Sequence, residues 1–254
     1  MKITYLGHSC FKVQTLSSSF VFDPFADIGY DVKRVSADVV LCSHDHFDHN
    51  ASHLIDCKRV IKDEINEQIL DCALTSHLCY HDEVMGAKRG INRIYKLVAD
   101  GKTVVHLGDL GYVDEGVISF IKNADVMLIP VGGTYTIDPI QAKKLIDETC
   151  PTHVIPMHYK SANSRINIAP LHYFTALLDS INYLPSTVYV SELKEGVKIM
   201  EINKKQAKSL PYFYRERIIF YRFFAYVCEF LSYLLKISTS FSFHSLSNSK
   251  NSAS

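Results

Sequence analysis

The sequence predicts an α/β domain over residues 1–203, and three observations carry that reading. Short β-rich runs alternate with helical patterns along this stretch. A fully apolar run, ADVVL, feeds directly into the polar segment CSHDHFDHN, as a buried strand feeds a loop. The segment DPIQAKKLIDETC opens with Asp138 as a cap and Pro139 at the first helical position, a helix start signal.

Taken in order, ITYLG, CFKVQT and SFVFDPF read as opening strands, with the SSS cluster as a turn between the last two. ADVVLCS is the apolar strand that ends at the histidines. RVI, ALTSHLCYHD and RIYKLVADGKTVVHLGD supply further strands, the last a hairpin closed at Asp100-Gly101. EGVISFIKNA is helical and leads into the buried strand DVMLIPVGG. After the Asp138-capped helix come the strand THVIPMH and a helix over APLHYFTALLDS. TVYVSEL and GVKIMEI read as a closing hairpin. No repeat at a fixed period runs through the chain.

Composition narrows the class. A chain of 254 residues is long enough to bury one substantial core. Lys plus Arg equals Asp plus Glu at 27 each, so no basic excess points to nucleic acid. The opening MKITYLGHSCF lacks the long apolar core of a signal peptide. Seven cysteines, an odd number without a CxxC pair, suggest reduced, mostly buried thiols and a cytoplasmic setting.

Past Lys204 the composition changes. Residues 212–237 hold ten aromatic side chains, with Arg215, Arg222, Glu229 and Lys236 spaced by seven. On a helix those four form one polar stripe, so 204–237 reads as an amphipathic extension. It would pack on the domain or on a second copy in a homo-oligomer, or lie on a membrane surface. Its apolar runs are too short for a span. The serine-rich stretch 238–254 reads as a disordered tail.

The segment with the most chemistry is His44-Asp45-His46-Phe47-Asp48-His49. On extended backbone, positions 44 and 46 point the same way and can meet one ion. Asp48 and His49 follow where the chain turns, toward a helix, and address a neighbouring point. The spacing therefore suits two ions better than one. A merely polar loop is the plain alternative, but so many imidazoles and carboxylates at the end of a buried strand would need partners.

H-x-H-x-D-H after an apolar strand resembles the signature of the metallo-β-lactamase superfamily. GHSCF at 7–11, DPF at 23–25, HLGDLG at 106–111, PVGGTYT at 130–136 and PMHYK at 156–160 are similar to its branch of small bacterial metal-dependent hydrolases, which includes ascorbate-phosphate lactonase. The resemblance spans about residues 1–203. It implies a four-layer αββα sandwich with the metals at one edge between the sheets.

The resemblance also implies three further ligands. Asp109, after Gly108, matches the carboxylate that bridges the ions. His158 matches the late histidine; His153 has opposite parity on that strand and reads as a surface or helix-packing residue. The middle histidine is open among His77, His81 and His106. The stretch YHDEVMGAKRGIN resembles the family segment and favours His81, while His106 reads as a core histidine bonded to a carbonyl. One ion would then take His44, His46 and His81, the other Asp48, His49 and His158, with Asp109 shared. Five imidazoles favour zinc over magnesium or calcium, with manganese or iron as alternatives.

Two such ions, about 3.5–4 Å apart, can share a hydroxide that attacks a carbonyl carbon or phosphorus. The expected activity is hydrolysis of a small ester, lactone or phosphoester. Asp48 and Asp109 are the carboxylates expected in the reaction, and His8 is expected to orient a ligand or donate a proton. Asp23 is a candidate to fix a histidine tautomer. Tyr135, Lys160 and Arg89 are candidates for holding a small-molecule substrate. A nuclease or phosphodiesterase of the same fold is the alternative, weakened by the balanced charge. No G-x-S-x-G elbow offers a serine nucleophile.

Overall fold

Residue patterning along β1 (Lys2–Gly7) shows how the fold begins: Ile3, Tyr5 and Gly7 are buried while Lys2, Thr4 and Leu6 are only partly covered. That period of two gives a sheet with one face inward. A computed structural model of the chain describes residues 1–201.

β1 pairs antiparallel with β2 (Cys10–Gln14), and β2 with β3 (Ser19–Phe22). β4 (Ser36–Leu41) and β5 (Asp56–Ile61) then add in parallel. A second sheet starts from the edge strand β6 (Asn66–Ile69) and runs through β7 (Cys72–Tyr80), β8 (Ile91–Ala99) and β9 (Lys102–His106) as antiparallel neighbours. It continues in parallel through β10 (Val126–Pro130), β11 (His153–Met157), β14 (Gly196–Glu201) and β12 (Asn182–Pro185).

The two sheets face each other across a dry core that includes Phe11, Phe20, Phe22, Leu97, Val104, Ile155 and Met157. Each such side chain contributes about 1.5–3 kcal/mol on full burial. α1 (Glu115–Ile121), α2 (Pro139–Thr149) and α3 (His172–Thr175) cover the outer face of the second sheet through Val117, Ile121, Leu145 and Phe174. Alternation along β10 serves both sides: Val126 and Leu128 face the inner core, Met127 and Ile129 the helices. The outer layer on the first sheet is thinner, built from Phe25, Ile28 and Val32 of a loop and from Ile55 after a 3-10 turn at Ser52–Leu54. The result is an α/β sandwich of two sheets with helices outside.

The start of α2 follows the sequence closely. Asp138 accepts from Gln141 N, and Gln141 returns a bond to Asp138 N, closing a capping box ahead of Pro139. Elsewhere the structure corrects the reading. TVYVSEL and GVKIMEI are not a hairpin: β13 (Thr187–Tyr189) joins β1 in the first sheet, and the 3-10 turn Val190–Glu192 redirects the chain so that β14 enters the second. β6 and β12 escape the pattern because both are edge strands with little burial. The helix expected over residues 169–180 shrinks to His172–Thr175, which has no side-chain cap at its start. After His49 the chain makes turns and the short 3-10 segment rather than an α-helix.

The six cysteines among the described residues are free. Among the same residues, no helix is long and apolar enough to cross a membrane. The extension at 204–237 and the tail at 238–254 lie outside the described residues, as do the membrane and second-copy contacts expected of them.

Candidate metal centre

Five strand ends meet at one edge of the sandwich. His8 follows β1, Asp23 follows β3, residues 42–49 follow β4, His81 follows β7 and His158 follows β11, while Asp109 comes shortly after β9. The second sheet holds the histidine loop in place: the buried Tyr95 hydroxyl donates to Cys42 O at 3.0 Å, and Arg93 N donates to Ser43 O at 3.0 Å. His8, Asp23 and His158 take the left-handed backbone region, with φ of 50°, 44° and 50°. Such conformations cost about 1–3 kcal/mol each and concentrate where function requires a fixed side-chain direction.

Asp109 sits at the centre. Its Oδ2 lies 3.2 Å from His81 Nε2, 3.2 Å from His158 Nε2 and 3.9 Å from His44 Nε2, and its Oδ1 lies 3.2 Å from His49 Nε2. Asn92 anchors this residue, accepting from Asp109 N at 2.9 Å and donating to Leu107 O at 2.9 Å. Gly108 is required here for packing rather than for approach to an ion. A β-carbon on it would stand 2.3 Å from Asn92 Oδ1 and 2.6 Å from Ser43 Cβ. Gly132 does the same for the late histidine, since a β-carbon would stand 2.1 Å from His158 O.

Hydrogen bonds fix which imidazole nitrogens are free. Asp23 accepts from His49 Nδ1 at 2.8 Å, from Ser43 N at 2.7 Å and from Ser43 Oγ at 2.7 Å. Because Ser43 spends its only hydroxyl proton on that carboxylate, its oxygen must accept from His44 Nδ1, 2.9 Å away. His81 Nδ1 donates to Tyr135 O at 3.0 Å. In the neutral rings these bonds place the proton on Nδ1 of His44, His49 and His81, so that Nε2 is the atom aimed at Asp109. His46 Nδ1 lies 3.2 Å from His81 Nε2.

These residues fit bound metal. His44 Nε2, His49 Nε2, His158 Nε2 and Asp109 Oδ1 are buried and make no aligned hydrogen bond, although they crowd within a few ångströms of one another. Polar atoms left so in a dry site are costly unless an ion satisfies them. Candidate ligand groups are His44, His46 and His81; His8, Asp48, His49 and His158; and His44, His49 and Asp109, each with ligand atoms within 4.8 Å of one another. The electrostatics agree. Burial opposes a charged His49, yet Asp109, Asp48 and Asp23 raise its pKa well above the ordinary value. Burial pushes Asp109 up, but His158 and His49 hold it well below the usual carboxylate range. Burial, with the charge of His49, keeps His44 neutral. The site attracts positive charge at its centre while its rim imidazole stays a lone-pair donor.

Not every expected residue joins this cluster. His106 has both ring nitrogens committed, to Ser9 O at 2.8 Å and from Gly108 N at 3.1 Å, and stacks on Phe22. His77 stacks on Phe120 beside α1. Of the three middle candidates, His81 alone is brought to Asp109. His153 is neither on the surface nor against a helix: it is buried, with Nδ1 donating to Lys194 O at 3.1 Å, because the loop before β14 folds over it. His8, by contrast, does join it: Nε2 lies 3.3 Å from Asp48 Oδ2, its ring packs on those of His49 and His158, and burial together with the charge of His158 lowers its pKa to about 4.

Beside the cluster opens a cavity of about 690 Å³ whose wall includes His46, Asp48, His81 and Asp109. Tyr135 and Arg89 line it as expected from their loops, with the Arg89 guanidinium 5.2 Å above the Tyr135 ring. Lys160 is not on the wall; its ammonium donates to Ile166 O at 2.6 Å. Sequence reasoning passed over Ser43, Asn92, Phe47 and Arg165. Ser43 and Phe47 were findable, since they lie inside the histidine segment; Asn92 and Arg165 carry no local signal.

A family model described as the β-lactamase superfamily domain matches residues 2–158. This chain belongs to the metallo-β-lactamase superfamily. Within it, the chain is 31% identical over 186 residues to a UPF0173 metal-dependent hydrolase of Methanospirillum hungatei, covering 63% of this chain and 84% of that protein. A UPF0173 metal-dependent hydrolase of Carboxydothermus hydrogenoformans is 27% identical over 193 residues, with 63% and 85% covered. Among solved structures, one from Thermotoga maritima described as a zinc-dependent hydrolase of the superfamily aligns with a TM-score of 0.68 and 32% identity, covering 80% of this chain and 99% of that one.

Proposed function

We propose that this protein is a dinuclear metal hydrolase acting on a small ester, lactone or phosphoester. One ion would be held by His44, His46 and His81, the other by Asp48, His49 and His158, with Asp109 within reach of both groups. The observation that carries this reading is the Asp109 carboxylate, which stands 3.2 Å from imidazoles of both groups. Imidazole-rich donors favour zinc, with manganese or iron as the metals to be distinguished. When bound, such ions lower the pKa of a water and polarise the oxygen on which charge develops.

The protein's own residues do the rest. Asp23 and Ser43 hold two imidazoles in the ligating tautomer, and Tyr135 O holds a third. His8 orients Asp48 rather than donating a proton to substrate, since its ring is buried behind that carboxylate. Asp48 and Asp109 lie on the cavity wall, where a reacting water would meet them. Water oxygen joins the acyl carbon or phosphorus, the bond to the leaving oxygen breaks, and a proton from water ends on that oxygen. A cavity of about 690 Å³ suits a small molecule rather than a polymer.

The test is metal analysis of purified protein together with a reporter panel of esters, lactones and phosphodiesters. Two transition-metal ions per chain and turnover of one reporter class are expected. One ion or none would overturn the two-ion assignment, and a silent panel in fully loaded protein would overturn the hydrolase.

A further inference from the structure

The cavity beside the metal ligands carries two guanidinium groups, Arg89 and Arg165. Among the described residues neither has a carboxylate within 4 Å; Glu83 lies near enough to Arg89 to feel its charge but is paired with Lys88. Both arginines lie on loops that begin at a candidate ligand, Arg89 after His81 and Arg165 after His158.

Both loops are held. The buried Asp82 carboxylate accepts backbone N–H groups from Val84, Gly86, Lys88 and Arg89 at 2.7–3.0 Å, which sets the loop after His81. The Arg89 head then rests on the Tyr135 ring, whose own carbonyl orients His81. Arg165 N donates to Ile28 O at 2.6 Å, fastening the second loop to the opposite wall. Guanidinium groups so placed would repel a cation bound at the centre unless an anion lay between them. Of the four acids on the wall, Asp45 bonds Asn50 and Lys62, and Asp48 and Asp109 are candidate metal ligands, which leaves Asp27 uncommitted. The two arginines outnumber it. Phe47, 57% exposed, and Ile166 offer apolar surface on the same wall.

From this geometry we infer that Arg89 and Arg165 form an anion-recognition subsite, so that the substrate carries a carboxylate or phosphate group apart from the bond that is cut. Guanidinium pairs with either group through parallel charge-assisted bonds. The inference rests on the hydrolase reading for where the cut bond lies.

Titration calorimetry on zinc-loaded protein tests it without turnover, using benzoate, phenylphosphonate and neutral benzyl alcohol as probes. One anion should bind, the tighter of the two naming the group, and benzyl alcohol should not. R89Q and R165Q should each weaken that binding about tenfold, the size of one lost charge-assisted contact, with metal content measured alongside. In parallel, the ratio of kcat/KM for mono-4-nitrophenyl glutarate over 4-nitrophenyl butyrate should fall in both variants. Absence of anion binding, or wild-type affinity in the double variant R89Q/R165Q with its metals intact, would overturn the subsite. A protein that binds the anions through these arginines but turns over no reporter would leave the subsite standing and sink the hydrolase instead.

Discussion

Asp71 and Asp109 are the same residue at opposite ends of one sandwich, and their surroundings differ in kind. Asp71, at the start of β7, accepts from Ser18 Oγ, from Thr15 Oγ1 at 2.8 Å, from Ser17 N at 3.3 Å and from Cys72 Sγ at 3.3 Å. Every donor in reach closes on it. Asp109 is more deeply buried, yet its Oδ1 has no aligned bond and the nitrogens around it point inward with lone pairs. One end uses a carboxylate to finish a set of turns. The other holds a carboxylate open, and an open buried charge is stable only with a counter-ion.

Four measurements break or sharpen that contrast. Replacing Asp109 with Asn should lower kcat/KM by more than about 10³-fold, since metal-centred charge stabilisation is worth several kcal/mol. In metal-stripped protein the same change should leave the thermal midpoint level or raised. A large drop there would mean that Asp109 is structural after all. Asp23→Asn removes the acceptor that orients His49 and, through Ser43, His44, so chelator competition should show metal affinity falling about 10–100-fold. Unchanged affinity would separate Asp23 from the site.

Gly132→Ala presses a β-carbon onto His158 O and should cost about 1–3 kcal/mol in denaturant melts, with lower metal occupancy. Asp71→Asn should cost about 1–2 kcal/mol and leave kcat untouched. Burial pushes the Asp71 pKa up, but the bonds from Ser18, Thr15 and Cys72 bring it below the ordinary carboxylate range. Its stabilisation is therefore full above the unfolded pKa of about 4 and is lost as pH falls through the lower folded value. Melts of wild type and Asp71→Asn should converge over that window; a gap that persists at low pH would contradict the assignment.

The contrast also explains what could be read from the chain alone. Residues 44–49 announce themselves because ligands concentrated after an apolar strand have few other uses, and the Asp138 cap is legible because both partners lie within one turn. His81 had to be chosen from three histidines on the resemblance of its segment, and the contacts that set it apart, with Asp109 and with Tyr135 O 54 residues away, are made by the fold. Asn92 and Arg165 act through loops whose meeting is decided by tertiary folding. The closing strands misled for a related reason: alternation shows that Thr187–Tyr189 is a strand, but not which sheet it joins.

That last crossing has a consequence for synthesis. β13 completes the first sheet beside β1, although more than 180 residues separate Lys2 from its partner Tyr189. Until the ribosome has released residues 187–201, the outer edge of β1 stands uncovered, and β11 lacks β14 on its flank. A nascent chain stalled before that point would present two open ladders at once, a template for association with its neighbours. Among the described residues the last strands work as a clasp, and the chain can shut it only after residue 201 has left the ribosome.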